Sequence, residues 1–236
     1  MLLYVIRHGD PCYNPDSLTP LGHRQAEAVG RRLATHGLDR IYSSPLVRAQ
    51  QTAQPAAELL NLPVQIEDWT SESYTWRDFT MDFPKEGRKR WVYNKQNTLF
   101  LSEENRHRSS DWHECDVFEG HDFKTPYKRI IEASDDFLAR QGYERVGGVY
   151  KVVRPNDERV ALFCHEGFSM VWFPHLLSIP PHIFWAGFSF THTGVTIFQF
   201  QNNADGWTAP SVLAMNDISH LHAEHLPTKY CNRFYY

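Results

Sequence analysis

The chain contains little cysteine and has no closely spaced cysteine pair. Among its 236 residues are four cysteines, at positions 12, 115, 164 and 231, which lie far apart and form no Cys-x-x-Cys motif. In a chain of this length, such spacing argues against a disulfide framework and is typical of free thiols in a reducing compartment. The sequence therefore predicts a cytoplasmic protein.

The sequence also lacks a secretory leader and an uninterrupted apolar span. Its first apolar run, Leu2–Ile6, is only five residues long, has no basic start and leads directly into Arg7. Residues 167–204 contain no Asp, Glu, Lys or Arg, but three prolines and three histidines interrupt them. A membrane helix needs a longer continuous apolar stretch. We therefore predict a soluble protein with no membrane partner.

No charge of one sign dominates the composition. The chain has 24 basic and 28 acidic residues, a formal charge of −4, which does not indicate a nucleic-acid partner. Hydrophobic residues make up 42% and charged residues 22%, which is ordinary for a globular protein and excludes a disordered chain or a coiled-coil rod. Aromatic residues reach 14%, so bulky side chains are available to anchor a core.

Alternating strand and helix patterns open the chain. The apolar run Leu2–Ile6 predicts a central strand, and residues 39–42 predict a second one. Between them, Thr19-Pro20 predicts the cap and first turn of a helix that ends near Gly37. Ser43-Ser44-Pro45 predicts the cap of a second helix. Strands alternating with helices favour parallel pairing through right-handed crossovers.

The middle of the chain has a different character. Residues 73–122 are rich in Trp, Arg, His and Glu, have weak periodicity, and predict a cap inserted over the carboxyl edge of the sheet. Beyond it we predict a helix over about 125–141 and strands over 149–153, 160–164 and 193–200. The expected fold is α/β, a three-layer sandwich with a mainly parallel central sheet. Residues 1–236 would form one domain with the cap at about 73–122.

Two histidines occupy equivalent places in this pattern. His8 and His165 each follow an apolar strand and precede a glycine-containing turn, and ligand sites form at the carboxyl ends of parallel strands. Arg7 adjoins the first histidine, and Arg48 lies in the first turns of the second predicted helix. Guanidinium groups match phosphate oxygens, so two arginines and two imidazoles favour a phosphate site.

The motifs around these residues resemble those of the histidine phosphatase superfamily, the phosphoglycerate mutase-like group. Arg7-His8-Gly9 is similar to the family signature, and further agreement covers the first 72 residues and about 157–200. The motifs that carry it are Leu18-Thr19-Pro20-Leu21-Gly22, Tyr42-Ser43-Ser44-Pro45-Leu46, Arg48-Ala49 and Phe163-Cys164-His165-Glu166-Gly167.

The resemblance implies a metal-independent phosphomonoester hydrolase without a cofactor, acting on a small phosphorylated metabolite. His8 would be the nucleophile that becomes phosphohistidine, and Arg7, Arg48 and His165 would hold the phosphoryl oxygens. Asn14, six residues after His8, would touch phosphate, as an asparagine does in cofactor-dependent mutases. Glu166 stands where glycine is common and would contribute through its backbone amide.

The resemblance also implies an acidic proton donor shortly after the second helix. Its position falls on Glu72, with Glu67 and Asp68 as alternatives. An alkoxide leaves poorly unless it is protonated, so a carboxylic acid beside the phosphate suits the chemistry. The competing interpretation of Glu72 is a solvated loop carboxylate.

Departures from the family pattern weaken the mutase alternative. Pro11 and Ser73-Tyr74 replace residues typical of mutases. A phosphoglycerate mutase remains the second enzymatic hypothesis, and a non-catalytic phosphate- or phosphoprotein-binding module is a third. The sequence leaves open whether the chain forms a homodimer.

Two clusters in the cap are weaker candidates. A zinc site is conceivable from His107, His113, Cys115 and His121, but their irregular spacing favours cap packing or surface positions. A basic cluster is typical of a solvated face and could attract an anionic substrate; it consists of Lys85, Arg88, Lys89 and Arg90.

Overall fold

The structure, a computed structural model, describes residues 1–83, 86–230 and 234–235. Its helices are α1 (Pro20–His36), α2 (Val47–Leu60), α3 (Glu72–Asp78), α4 (Asn97–Phe100), α5 (Lys124–Arg140), α6 (Glu166–Leu177), α7 (Pro181–Gly187) and α8 (Ser219–Ala223). Its strands are β1 (Leu2–Arg7), β2 (Pro11–Tyr13), β3 (Asp16–Leu18), β4 (Arg40–Ser43), β5 (Val64–Ile66), β6 (Thr80–Phe83), β7 (Arg88–Trp91), β8 (Tyr143–Val146), β9 (Val149–Val152), β10 (Arg159–Cys164), β11 (Val195–Gln199), β12 (Trp207–Thr208), β13 (Ser211–Asp217), β14 (Lys229–Tyr230) and β15 (Phe234–Tyr235).

A six-stranded sheet forms the centre of the fold, in the order β13-β11-β1-β10-β4-β5. β1, β10, β4 and β5 are parallel, and β11 runs antiparallel to both of its neighbours. The prediction of a mainly parallel sheet is therefore confirmed. β1 and β10 lie side by side, so the residues that follow them emerge at the same edge.

Helices cover both faces of this sheet, which confirms the three-layer architecture. Along β10, Val160, Leu162 and Cys164 join a large aromatic core with α5 and α6. The alternate residues Ala161 and Phe163 pack instead with apolar side chains of α1 and α2. Successive side chains of a strand point to opposite faces, so an apolar strand covered on both sides needs no polar alternation.

The first helix matches its prediction, but the second begins differently. Thr19 caps α1 through a hydrogen bond that its hydroxyl accepts from the Gly22 amide. α2 begins at Val47, whose amide donates to the Asp16 carboxylate at 2.7 Å. The prediction that Ser43-Ser44-Pro45 caps α2 is wrong, because the carboxylate of β3 takes that place. Ser44 is used in the site described below.

Segment 73–122 contains most of α3, the hairpin β6–β7, α4 and short 3-10 turns. Aromatic side chains of this segment pack around Trp185 of α7; they are Phe79, Phe100, Trp112 and Phe118. These contacts join the segment to the core on the α6 face of the sheet. The assignment of residues 1–236 to one domain with a cap at about 73–122 stays a prediction.

The charge-free stretch 167–204 holds most of α6, all of α7 and β11. α6 is buried on nearly every side, which explains why it carries apolar residues without a polar face. No helix among the described residues is long and apolar enough to cross a membrane. Cys12, Cys115 and Cys164 are free thiols, and Cys231 lies outside the described residues.

Candidate active site

His8 stands directly after β1 and is almost completely buried. Its backbone amide donates to the Cys164 carbonyl of the neighbouring strand. Its Nδ1 lies 2.7 Å from the Gly9 carbonyl oxygen. A carbonyl can only accept, so Nδ1 carries the proton and Nε2 keeps a lone pair. The imidazole is thereby oriented with a nucleophilic nitrogen free.

His165 lies at the start of α6, and its ring is 5.1 Å from that of His8 between centroids. Its Nε2 is 2.7 Å from the Ser44 hydroxyl, which also accepts from the Leu46 amide. We assign the serine proton to the bond with Nε2 and the histidine proton to Nδ1, because Nδ1 faces the Glu72 carboxylate oxygen Oε2 at 3.7 Å. Nδ1 is buried and makes no hydrogen bond, so it remains available to a ligand.

Both imidazoles are neutral at neutral pH. Burial is the main cause that lowers the pKa of His8 well below its ordinary value, followed by the charges of His165, Arg7 and Arg48. The pKa of His165 is lowered likewise, by burial and then by the two arginines. Buried cationic neighbours disfavour protonation of a histidine. His8 is thus a free base at the pH of most cells.

Arg7 and Arg48 are held by carboxylates on their terminal nitrogens. Arg48 donates to Asp16 at 2.6 Å and to Glu72 at 2.8 Å. Arg7 pairs with Glu166 at 2.9 Å and also donates to the Phe190 carbonyl. The Nε atoms of both arginines are buried and lack a partner. We call Arg7, His8, Arg48 and His165 the anion pocket, because three of them hold unpaired buried donors that suit an anion.

Glu72 is the one predicted proton donor that the described residues bring to this pocket. Its Oε1 accepts from the Gly167 amide at 3.0 Å, and its Oε2 lies 3.7 Å from His165 Nδ1. Glu67 is instead bound by both terminal nitrogens of Arg140 and by the Trp69 indole.

Asp68, the other alternative, is exposed and accepts from the Tyr74 hydroxyl. The interpretation of Glu72 as a solvated loop carboxylate does not describe its position, because only 13% of its side chain is exposed and Arg48 holds it. Its role as proton donor stays a prediction.

His8, Glu72 and His165 also form a group that could bind a metal ion. One ligating atom of each lies within 4.8 Å of the others, and the described residues contain no other such group of three or more. The predicted zinc candidates of the cap are therefore not brought together. The guanidinium groups of Arg7 and Arg48 stand beside this group and oppose a cation, so its electrostatics suit an anion better.

Two predicted phosphate ligands occupy other positions. Asn14 is exposed at the tip of the β2–β3 hairpin, where its peptide bond to Pro15 is cis. Glu166 directs its carboxylate to Arg7 and accepts from the Phe190 amide at 3.3 Å. The predicted roles of both in phosphate binding stay predictions.

In the basic cluster of the cap, Arg88 and Arg90 pair with Glu86, as expected for a solvated face. Lys85 lies outside the described residues.

Sequence reasoning missed several residues around the pocket. The His192 ring lies 5.6 Å from that of His8, and its Nδ1 is 3.6 Å from the Asp10 carboxylate. In the sequence, His192 only interrupts an apolar run. Its position just before β11 is the one sequence feature that points to a place in the site. Ser44 orients His165, although its hydroxyl side chain suggested a helix cap.

A cavity of about 520 Å³ opens beside the anion pocket. Its lining consists of Tyr13, Arg48, Glu72, Ser73, Trp76 and Trp91. Trp76 and Trp91 meet edge to face, with ring centroids 4.8 Å apart and planes at 90°. We call these two indoles, together with Tyr13, the aromatic corner. Arg48 belongs to both the cavity lining and the anion pocket, and Glu72 of the lining contacts Arg48 of the pocket.

The fold is α/β with a pocket of buried arginines and histidines at the edge of the sheet, and comparison with known families makes the class specific. Residues 3–212 match the model of the histidine phosphatase superfamily (branch 1). The chain therefore belongs to the histidine phosphatase superfamily, which confirms the resemblance.

Curated relatives match over shorter segments. Fructose-2,6-bisphosphatase TIGAR of Xenopus tropicalis is 38% identical over 61 residues, which is 22% of this chain and 22% of that protein. The probable phosphoglycerate mutase GpmB of Yersinia enterocolitica is 30% identical over 112 residues, 36% of this chain and 52% of that protein. The chain thus aligns with about half or less of the length of these relatives.

Solved structures match over nearly the whole chain. Phosphoserine phosphatase from Entamoeba histolytica, in complex with 3-phosphoglyceric acid, has a TM-score of 0.61 and 22% identity, covering 93% of this chain and 98% of that chain. A mycobacterial glucosyl-3-phosphoglycerate phosphatase in complex with VO3 has a TM-score of 0.58 and 16% identity, covering 91% and 98%. At identities of 22% and 16%, these similarities show that the chain shares the fold of these proteins and nothing further.

Proposed function

We propose that the chain is a phosphomonoester hydrolase that works without a metal ion, through a phosphohistidine on His8, on a small phosphorylated metabolite. The observation that carries the proposal is the set of buried donors without partners, Arg7 Nε, Arg48 Nε and His165 Nδ1, around a neutral His8. Unpaired buried donors are costly unless a ligand satisfies them. A phosphoryl group beside His8 would do so.

In the first step, His8 Nε2 attacks phosphorus in line with the ester oxygen. The N–P bond forms while the P–O bond to the leaving group breaks, and Glu72 gives its proton to the departing oxygen. The leaving group departs as a neutral alcohol.

In the second step, water replaces the alcohol. The water oxygen attacks phosphorus while the Glu72 carboxylate accepts a proton from that water molecule. The P–N bond to His8 breaks at the same time. The products are inorganic phosphate, free His8 and a protonated Glu72. Arg7, Arg48 and His165 would stabilise the charge on the phosphoryl oxygens in both transfers.

A phosphoglycerate mutase would return the phosphoryl group to a second hydroxyl. Among the described residues that line the cavity, Arg48 alone carries a positive charge, and Asp16 and Glu72 already pair with it. A substrate carboxylate would find no free cation there. This observation favours water as the acceptor.

The test is to trap the intermediate. Labelled substrate, quenched without acid, should leave phosphate on His8 that is stable in base and labile in acid. We expect His8→Ala to lower kcat by at least about 10³-fold, because the covalent route is lost. His107→Ala in the exposed part of the cap is the matched control.

Normal turnover of His8→Ala would refute the mechanism. Loss of activity in a chelator, restored by zinc or magnesium, would instead assign His8, Glu72 and His165 to a metal. Rapid isomerisation of 3-phosphoglycerate with little phosphate release would favour the mutase. Phosphate binding without any turnover of phosphomonoesters would identify a binding module.

A further inference from the structure

We propose that the leaving group of the substrate carries an alkylated ammonium ion, so that the substrates are phosphomonoesters of amino alcohols. This inference rests on the phosphatase function proposed above. It concerns the part of the cavity beyond the phosphoryl group, where the aromatic corner and the surrounding carboxylates lie.

The aromatic corner has the shape for a rounded group. Trp76 and Trp91 stand at 90° with centroids 4.8 Å apart, so they form two perpendicular walls. Trp91 is backed by Tyr93, which stacks on it at 5.4 Å and 14°. The faces of aromatic rings attract an alkylated ammonium ion, and two perpendicular walls leave a rounded space that suits a trimethylammonium group.

The charges around the corner favour a cation. Two guanidinium groups, of Arg7 and Arg48, face three carboxylates, and each guanidinium is already paired. Burial is the main cause that raises the pKa of Tyr13; Glu72 adds to this shift, and Arg7 and Arg48 oppose it. The Arg48 guanidinium already lies over the Tyr13 ring, 5.3 Å from its centroid, which leaves the two indoles as the walls open to a ligand cation. With Glu72 protonated, Asp16 and Glu166 still neutralise the two guanidiniums, so a second anion would meet no free cation, whereas an ammonium group would offset charge of the substrate's own phosphoryl group.

The cavity also has room for such a group. Its volume of about 520 Å³ falls within the range of about 300–1,000 Å³ usual for small-molecule sites. Arg48 and Glu72 stand on the phosphate side, and Ser73, Trp76 and Trp91 complete the lining beside them. Because Arg48 lines the cavity and also belongs to the anion pocket, a short linker would join phosphate and ammonium.

The experiment compares two esters of nearly equal shape, phosphocholine and 3,3-dimethylbutyl phosphate, which has carbon in place of the charged nitrogen. We expect a higher kcat/KM for phosphocholine. In Trp76→Leu and Trp91→Leu, which keep an apolar side chain without the π face, the ratio of the two values should fall roughly 10-fold. Any difference in basicity between the two leaving groups cancels from the change in this ratio, because the same two esters are compared in each variant.

Trp207→Ala is the control, since Trp207 lies on β12 and is 40% exposed, close to the 44% of Trp76. It should leave the ratio unchanged. Equal kcat/KM for both esters, a preference for 3-phosphoglycerate, or an unaltered ratio in both tryptophan variants would overturn the inference while hydrolysis continues. Failure to hydrolyse either ester or p-nitrophenyl phosphate would defeat the proposed phosphatase function itself.

Discussion

The anion pocket and the aromatic corner adjoin each other but are built in opposite ways. In the pocket, His8 and His165 are 1% and 0% exposed and follow strands bonded into the central sheet. In the corner, Trp76 and Tyr13 are 44% and 68% exposed and belong to α3 and a short hairpin. The pocket is anchored in the central sheet, whereas the corner is formed by a short helix and two two-stranded hairpins outside that sheet.

This difference separates the residues that transfer the phosphoryl group from the residues that select the leaving group. Groups that transfer a phosphoryl must be held at fixed distances, and strand ends in a covered sheet provide that rigidity. Groups that choose the leaving group need only supply shape and charge, which surface segments can vary. Gly167 joins the two regions, because a Cβ there would lie 2.5 Å from the Trp91 ring and 2.9 Å from Glu72.

Among the variants that distinguish the two regions, Glu72→Gln is expected to have the largest effect on kcat. Glutamine keeps the shape but cannot give up a proton, so kcat for an alkyl phosphate should fall about 10²–10⁴-fold. Hydrolysis of p-nitrophenyl phosphate should fall much less, since that phenolate leaves without protonation. Steady-state kinetics on both substrates measures this split, the difference between the losses of kcat for the alkyl phosphate and for p-nitrophenyl phosphate.

Glu67→Gln and Asp68→Asn are the matched controls for this change. Neither should reproduce the split, because Arg140 holds Glu67 and Asp68 is exposed. If Glu72→Gln slows both substrates equally, Glu72 supports binding or folding and is not the acid. If Glu72→Gln has no effect, the acid lies elsewhere.

The next effect is expected from Arg7→Gln. Loss of a charged donor should weaken inhibition by inorganic phosphate roughly 10- to 100-fold. The charge of Arg7 helps to lower the pKa of His8, so its removal should raise that pKa. Protonated His8 cannot attack, and the acid limb of the kcat/KM profile should therefore move to higher pH. An unmoved limb would contradict this view of His8.

Glu166→Gln changes the same ion pair as Arg7→Gln, but we expect it to change inhibition by inorganic phosphate in the opposite direction. It removes the carboxylate that competes with phosphate for Arg7. Inorganic phosphate should then inhibit a few-fold more strongly. Weaker inhibition would mean that the carboxylate mainly positions the guanidinium.

The smallest effect is expected from Ser44→Ala, which removes the hydrogen bond that fixes the His165 proton on Nδ1. One neutral hydrogen bond corresponds to roughly a 3- to 10-fold loss in kcat. Ser43→Ala is the control, since Ser43 is equally buried and its hydroxyl donates to the Ser44 carbonyl. Equal losses in the two variants would point to packing alone.

The sequence by itself determined the framework of the anion pocket. Continuous apolar runs identify strands covered on both faces, and their ends carry Arg7, His8 and His165. Parallel strands end at one edge, so the strand pattern predicts both histidines at that edge, and the observed pairing of β1 with β10 makes them neighbours. The capped helix α1 followed from Thr19 and Pro20 for the same local reasons.

Only the tertiary structure decided which further side chains reach that edge. Local spacing gives Ser44 the signature of a helix cap, yet β10 brings His165 within hydrogen-bond distance of it. The resemblance favours Glu72 but leaves Glu67 and Asp68 as alternatives, and only the structure shows that Arg140 of α5 engages Glu67 while Arg48 engages Glu72. Trp76 and Trp91 lie on different elements with weak periodicity, and long-range packing alone makes them a corner. Local patterns of apolar and capping residues encode strands and helices, whereas contacts between distant segments depend on how the whole core packs.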